Sequence, residues 1–454
     1  IASGKPVILE TAGTVTQVVE TSDAAGTPVV YQANGVTWNS ATFDSSNNKI
    51  VVSYNVGGTG ALVAVGTVSG TAISYGTPVA ISGAGNSYGS ITYDSSNNKV
   101  VIAYRDYNNS DYGTAVVGTV SGTSISFGTP VVFKSANSDW ISATFDSDSN
   151  KVVIAYRISG QGTGIVATVS GTSISYGTEV AFESNGSQQI SATFDSDSNK
   201  VVIAYRDGLS DQGEAVVGTV SGTAISFGTP VVFNAATTAQ LSTTFDSDSN
   251  KVVISYEDKG NSDYGTAIVG TVSGTSISFG SEAVFESAET ENTSASFDST
   301  KNKVVIAYQD DANSDYGTVV VGTVSGTSIS FGSPVVFEAA AVTYTGSVYD
   351  SNSDKVVIVY SDDGNSGYGT GVVFSVGGSN MTTSNFLGVA NEAISASATG
   401  GIMLQGGISS KLTSLTIGST YYVQPGGTFA TSAGSPSVEL GKAISATTVN
   451  MKGV

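Results

Sequence analysis

The chain has no cysteine and no histidine among its 454 residues, and only 2 tryptophans, 3 methionines and 8 prolines. Without cysteine there is no disulfide, no thiolate nucleophile and no thiolate metal site. Without histidine the commonest general base and the commonest zinc or copper ligand are missing, which removes the usual hydrolase triads and leaves only carboxylate catalysis. Basic residues are scarce too: Lys and Arg total 17 against 37 Asp and Glu, a formal net charge of −20. Such a surface speaks against nucleic acid and anionic lipid as partners, because both are held by clustered Lys and Arg. No run of about 18 apolar residues occurs, so no membrane insertion is expected, and no basic-then-apolar leader opens the chain. It begins at Ile1 rather than Met, as a trimmed start or a piece of a longer chain would.

What is present in quantity is glycine (55), tyrosine (21) and phenylalanine (17), with 40 % hydrophobic residues, enough for a core. These are arranged in a repeat. Residues 143–156 read ATFDSDSNKVVIAY, and near-copies are anchored by Asp44, Asp94, Asp146, Asp195, Asp246, Asp298 and Asp350, a period of about 51 residues. Each repeat holds four short runs rich in Val, Ile, Thr, Tyr and Phe, bounded by Gly, Asn, Asp and Ser; they are labelled strands A to D. The expected fold is therefore all-β, a seven-bladed β-propeller of four-stranded blades. The seventh repeat stops at Gly377-Gly378 without its GTPVVF-like run, whereas residues 24–31, AAGTPVVY, match that run. A composite closing blade is expected, with Val29–Tyr31 packed into it. Residues 22–378 form the propeller on this reading. Residues 379–454 form a small C-terminal β domain that residues 1–21 join through a hairpin turning at Ala12-Gly13.

Both ends carry further motifs: GKPVILETAGTV at the start, then NFLGVANEAISASATGGIMLQGG, LTIGSTYYVQPGGTF and SPSVELGKAIS near the end. Together with the FDSSNNKVVIAY-type repeats they resemble virion structural proteins of tailed bacteriophages, the tail-fibre or appendage proteins of marine phages above all. The resemblance implies a component of the virion surface. Its partners would be other virion proteins and a host cell-surface glycan or protein, with homo-oligomerisation open.

The Asp-x-Asp-x-Asn turns, such as Asp146, Asp148 and Asn150, resemble the opening of a calcium loop. They lack its downstream Gly and bidentate Glu, and a capped turn accounts for them without a metal. No cofactor is expected. The sialidase Asp-box is absent, and no carboxylate lies in a recognisably pKa-raising run, so the expectation is a non-enzymatic protein, the alternatives being a head-decoration or other virion protein–protein module and a secreted propeller lectin or glycan-active enzyme. The A–B and C–D turns are near-uniform and share one face, while the B–C and D–A loops differ between blades and share the other, where recognition is expected. The candidates there begin with the residue six before each anchoring aspartate: Trp38, Tyr88, Trp140, Gln189, Gln240, Asn292 and Tyr344. Aromatics occupy four consecutive blades and amides the other three, an arrangement suited to a sugar's apolar face and its hydroxyls. Tyr112, Tyr264 and Tyr316 of the B–C loops complete the candidate set.

Overall fold

Strand B of every repeat is a nearly continuous apolar run, interrupted only by Ser53 and Ser255, and in the structure it is buried on both faces: Val100 to Tyr104 and Val152 to Tyr156 are completely inaccessible. A strand with no polar face must be covered on both sides, and here the neighbouring sheets cover it. The computed structural model describes all residues except Thr11, Ala12, Ser82, Ala84, Ser435 and Val454. The expected turn at Ala12-Gly13 thus falls partly outside the described residues, although the strands flanking it, Pro6–Leu9 and Val15–Gln17, pair antiparallel.

Each repeat is an antiparallel meander A-B-C-D. In the second, strand A (Asn86–Asp94) pairs with B (Lys99–Asp106), B with C (Tyr112–Ser121), and C with the first part of D (Ser124–Phe127). The chain then runs without interruption through Val131–Asp146, whose residues 131–137 finish strand D while residues 138–146 are strand A of the third blade. Every inner strand A packs beside the next, and the strand ending at Asp350 packs beside the one ending at Asp44, which closes a cycle of seven. The architecture is a β-propeller. Its last blade takes its outer strand from the N-terminal segment: residues 24–25 and 29–35 pair with strand C of that blade, Tyr368–Ser375. Of the residues expected to pack there, Tyr31 is 6 % exposed but Val30 is 42 % exposed, because alternate residues of an outer strand face solvent.

Two glycine positions explain why the motifs repeat. Gly113 is the second residue of strand C, and a Cβ there would lie 2.4 Å from the Phe133 ring, which itself packs 5.0 Å from Tyr156 of the next blade. Gly128, in the break of strand D, receives the carbonyl of Thr172 from the next blade's C–D turn, where a Cβ would sit 2.0 Å from that oxygen. At the closure Tyr31 takes the place of Phe133, its ring 5.0 Å from Tyr54. Gly26 takes the place of Gly128, a Cβ there lying 2.1 Å from the Thr71 oxygen.

The anchoring aspartates cap the A–B turns. Asp146 accepts the amide N–H groups of Asp148 and Ser149 at 3.0 and 2.9 Å, and Asp44, Asp94, Asp195, Asp246, Asp298 and Asp350 repeat the pattern. Asn150 and its equivalents are left-handed, which Asn tolerates. Each turn is thus held by the side chain of its own aspartate.

Residues 1–23 and 377–454 form a second compact unit. It contains a four-stranded sheet in the order Val15–Gln17, Pro6–Leu9, Phe386–Ala390, Ile402–Leu404, and a five-stranded sheet centred on Val438–Ala443. Ile8, Val18, Phe386, Val389, Tyr421, Leu440 and Met451 build its core. Among the described residues no helix is long and apolar enough to cross a membrane.

Candidate functional site

Strand A carries a bulge where the chain enters it from the D–A connection. Its pairing to strand B slips between Thr37 and Ser40, between Asp139 and Ser142, and at the equivalent place in the other five blades. The residue on the bulge is the one six before the anchoring aspartate. All seven adopt positive φ: Trp38 58°, Tyr88 53°, Trp140 49°, Gln189 51°, Gln240 50°, Asn292 50° and Tyr344 51°. The left-handed conformation costs a bulky residue about 1 kcal/mol or more, and it recurs whatever the side chain, so the bulge belongs to the fold and the side chain is free to vary. The sequence carried no glycine to mark it. Two residues further on, the hydroxyls of Ser40, Ser90, Ser142, Ser191, Ser242 and Ser294 each accept an amide N–H from the next blade's inner strand. Gly346 holds the seventh position.

The four aromatics come together in one continuous ledge. Trp38 lies 4.3 Å from Tyr88 and 5.3 Å from Tyr344 between ring centroids, and Tyr88 lies 5.0 Å from Trp140, all tilted. The rings thus pack on one another across blade boundaries and are half-buried, Trp140 also packing against the core cluster that holds Ile190. The amide arc behaves differently from expectation. Gln189 Oε1 accepts the Gln240 amide N–H at 2.7 Å, and Asn292 Oδ1 accepts that of Tyr344 at 3.1 Å while its Nδ2 donates to Gln309. Expected to meet ligand hydroxyls, these two side chains instead bridge inner strands, because the bulge leaves backbone donors unpaired there. Tyr112, Tyr264 and Tyr316 start strand C at that end of their blades and make no ring contact with the ledge among the described residues.

The end of strand B adds charge to this rim. All three arginines of the chain, Arg105, Arg157 and Arg206, occupy its equivalent position in three consecutive blades. Arg105 pairs with Asp139 at 2.5 Å and lies 5.1 Å from the centre of the Tyr88 ring, a cation–π arrangement. Arg206 pairs with Asp211 at 2.5 Å. The next blade has Glu257 instead, 1 % exposed and bonded to Lys259 at 2.6 Å. Burial pushes the Glu257 carboxyl up to about 7 against the pull of Lys259. Asp311 rises to about 6, through burial and then the neighbouring Asp315, Glu289 and Glu291. The arginines of the rim thus lie on one arc, two of them held by aspartates, and the raised carboxyls lie on the other. Two carboxylate trios, Glu183/Asp207/Glu214 and Glu257/Asp263/Glu289, are close enough to share a cation. Within them, Glu214 already accepts the Tyr205 hydroxyl at 2.8 Å and Lys259 bonds both Glu257 and Asp263.

No protein-family profile and no curated protein sequence matches the chain. In fold it is similar to the Cps50 (Swd1) β-propeller domain of Myceliophteria thermophila, with TM-score 0.52 and 6 % identity over 77 % of this chain and 100 % of that one. A leech intramolecular trans-sialidase aligns with TM-score 0.44 and 8 % identity, over 76 % of this chain and 68 % of that one. The NanB sialidase of Streptococcus pneumoniae aligns with TM-score 0.43 and 12 % identity, over 80 % and 70 %. At these identities the likeness is one of fold alone. The expectation that the chain is not an enzyme is corrected: it rested on finding no carboxylate in pKa-raising surroundings, and Glu257 and Asp311 are two such carboxylates.

Proposed function

We propose that the propeller is the glycan-recognising part of a virion appendage, and that the ledge of Trp38, Tyr88, Trp140 and Tyr344 is where a host-surface glycan docks. The observation that carries this is the contrast within one repeated position. The backbone is the same in all seven blades, yet four consecutive blades present half-buried rings and three present amides. Core packing places its aromatics uniformly, as the buried Tyr54, Tyr104, Tyr156, Tyr205, Tyr256, Tyr308 and Tyr360 do. The virion setting is supported by the motifs at the two ends, which lie in the smaller unit and supply a separate body for contacts with other virion proteins.

The test is binding of the protein to host-surface polysaccharide, with Trp38→Ala and Trp140→Ala combined. Losing two stacking platforms should cost about 2–3 kcal/mol, a roughly 30- to 160-fold loss of affinity, with the melting temperature little changed because both rings reach solvent. Full binding by the double variant, or its unfolding, would refute the reading. A second reading, glycan cleavage, is favoured by the raised Glu257 carboxyl, since a carboxyl titrating near neutrality suits a general acid. Release of sugar in the same incubation, abolished by Glu257→Gln, would decide for it.

A further inference from the structure

The loop aspartates on this rim have a regular task. In the second, fourth and fifth blades Asp111, Asp211 and Asp263 each pair with a cation at or just beyond the end of strand B: Arg105, Arg206 and Lys259 respectively. The third blade breaks the rule. Its strand B ends at Ile158 and strand C begins at Gln161, so only Ser159-Gly160 connects them and no loop aspartate exists. Arg157 keeps its place beside Asp139 in the A–B register. Asp139 gives its carboxylate to Arg105. Among the described residues the Arg157 guanidinium therefore has no ion-pair or hydrogen-bond partner, in a chain of net charge −20. Shortening the loop also opens a recess, lined by Asn137, Asp139, Arg157, Ser159 and Gly160. Asp139 precedes Trp140 in the chain, so this recess adjoins the aromatic ledge.

We infer that the Arg157 recess is an anion subsite that takes the carboxylate of an acidic sugar whose ring lies on Trp140. The inference rests on the glycan reading above and narrows it to acidic glycans. A planar guanidinium offers two parallel N–H donors to a carboxylate. Asn137 and Ser159 line the same recess and add an amide and a hydroxyl to the donors available there.

With only three arginines in the chain, a sample of the full-length protein carrying 15N-arginine gives three side-chain Nε–H signals, and Arg157→Gln identifies one by its loss. On titration with glucuronate the Arg157 signal is expected to shift saturably, half-complete below about 10 mM. The Arg105 and Arg206 signals, held by their aspartates, should move less than about a tenth as far, and glucose should move none. An Arg157 signal static to about 100 mM, or three signals drifting together without saturation, overturns the proposal. Inorganic phosphate saturating the site before glucuronate overturns its assignment to a carboxylate. The two readings fail separately. A saturable glucuronate shift beside undiminished polysaccharide binding by the Trp38/Trp140 variant keeps the recess and rejects the ledge. A static Arg157 beside lost binding in that variant does the reverse.

Discussion

Gly26 and Gly332 sit at equivalent places in the outer-strand motif, AGTP and FGSP, and substituting each by alanine should give opposite results. At Gly26 a new Cβ would lie 2.1 Å from the Thr71 carbonyl oxygen and 3.2 Å from that of Val373, both backbone atoms that no rotamer change can move. At Gly332 the nearest atom is the Val321 oxygen at 3.7 Å, an ordinary contact, because strand C of the seventh blade ends at Ser375 and sends no C–D turn across. Overpacking against backbone costs typically about 1–3 kcal/mol. Strain at Gly26 can be relieved only by loosening the closing strand, which would expose Tyr31, itself worth about 1.5–3 kcal/mol. A loss of about 2.5 kcal/mol is therefore expected. With an unfolding entropy of about 2.1 cal/mol/K per residue over a unit spanning residues 24–376, this lowers the melting temperature by about 3–4 °C. Gly332→Ala should leave it unchanged or raise it slightly, since alanine restricts the unfolded strand. Calorimetry on both variants is the assay. Equal losses, or no loss at Gly26, would show that the N-terminal strand does not close the ring by this contact.

Gly346→Ser should restore the seventh inter-blade hydroxyl bond, to the Ala41 amide. The Cβ would lie 3.3 Å from Val359 Cγ2 and 3.5 Å from the Asn39 oxygen, and the added bond should stabilise by about 0.5–1.5 kcal/mol; a lower melting temperature would count against the serine ring. For pH, Glu257 has a folded pKa of about 7 against an ordinary value of 4.5. The folded state therefore holds this proton more tightly, and the associated stability is full below pH 4.5 and lost as pH rises through about 7. Glu257→Gln, neutral throughout, should gain in melting temperature relative to the parent from pH 5 to 8; a constant or shrinking difference would show the carboxyl to be ordinary.

The blade pattern was legible because period-2 alternation, Gly-bounded runs and the displaced AAGTPVVY motif are all local signals. The capped A–B turns were legible for the same reason: Asp and Asn state their turn chemistry in the sequence. The position of Trp38 and its equivalents could also be counted from the anchoring aspartates. What they do there could not, since a left-handed bulge occupied by Trp, Tyr and Gln breaks the preference for glycine and shows only in the coordinates. The amides of Gln189 and Asn292 look identical in sequence whether they face a sugar or a neighbouring strand. The serine ring was present as the Ser four before the aspartate in six repeats, unread because its partner lies one blade away. Glu257 acquires its raised pKa from burial in the assembled blade, which no local run of sequence displays. Arg157 is unusual only by comparison with the pairs its neighbours form.

Both tryptophans of the chain, Trp38 and Trp140, lie in the ledge, so the whole tryptophan emission of the protein reports on the proposed site. Titration with host-surface polysaccharide, with binding followed independently by calorimetry, tests the central claim most directly. The expected result is a saturable change in emission whose midpoint coincides with the calorimetric one. Binding seen by calorimetry with the emission unchanged would place the glycan site elsewhere on the molecule.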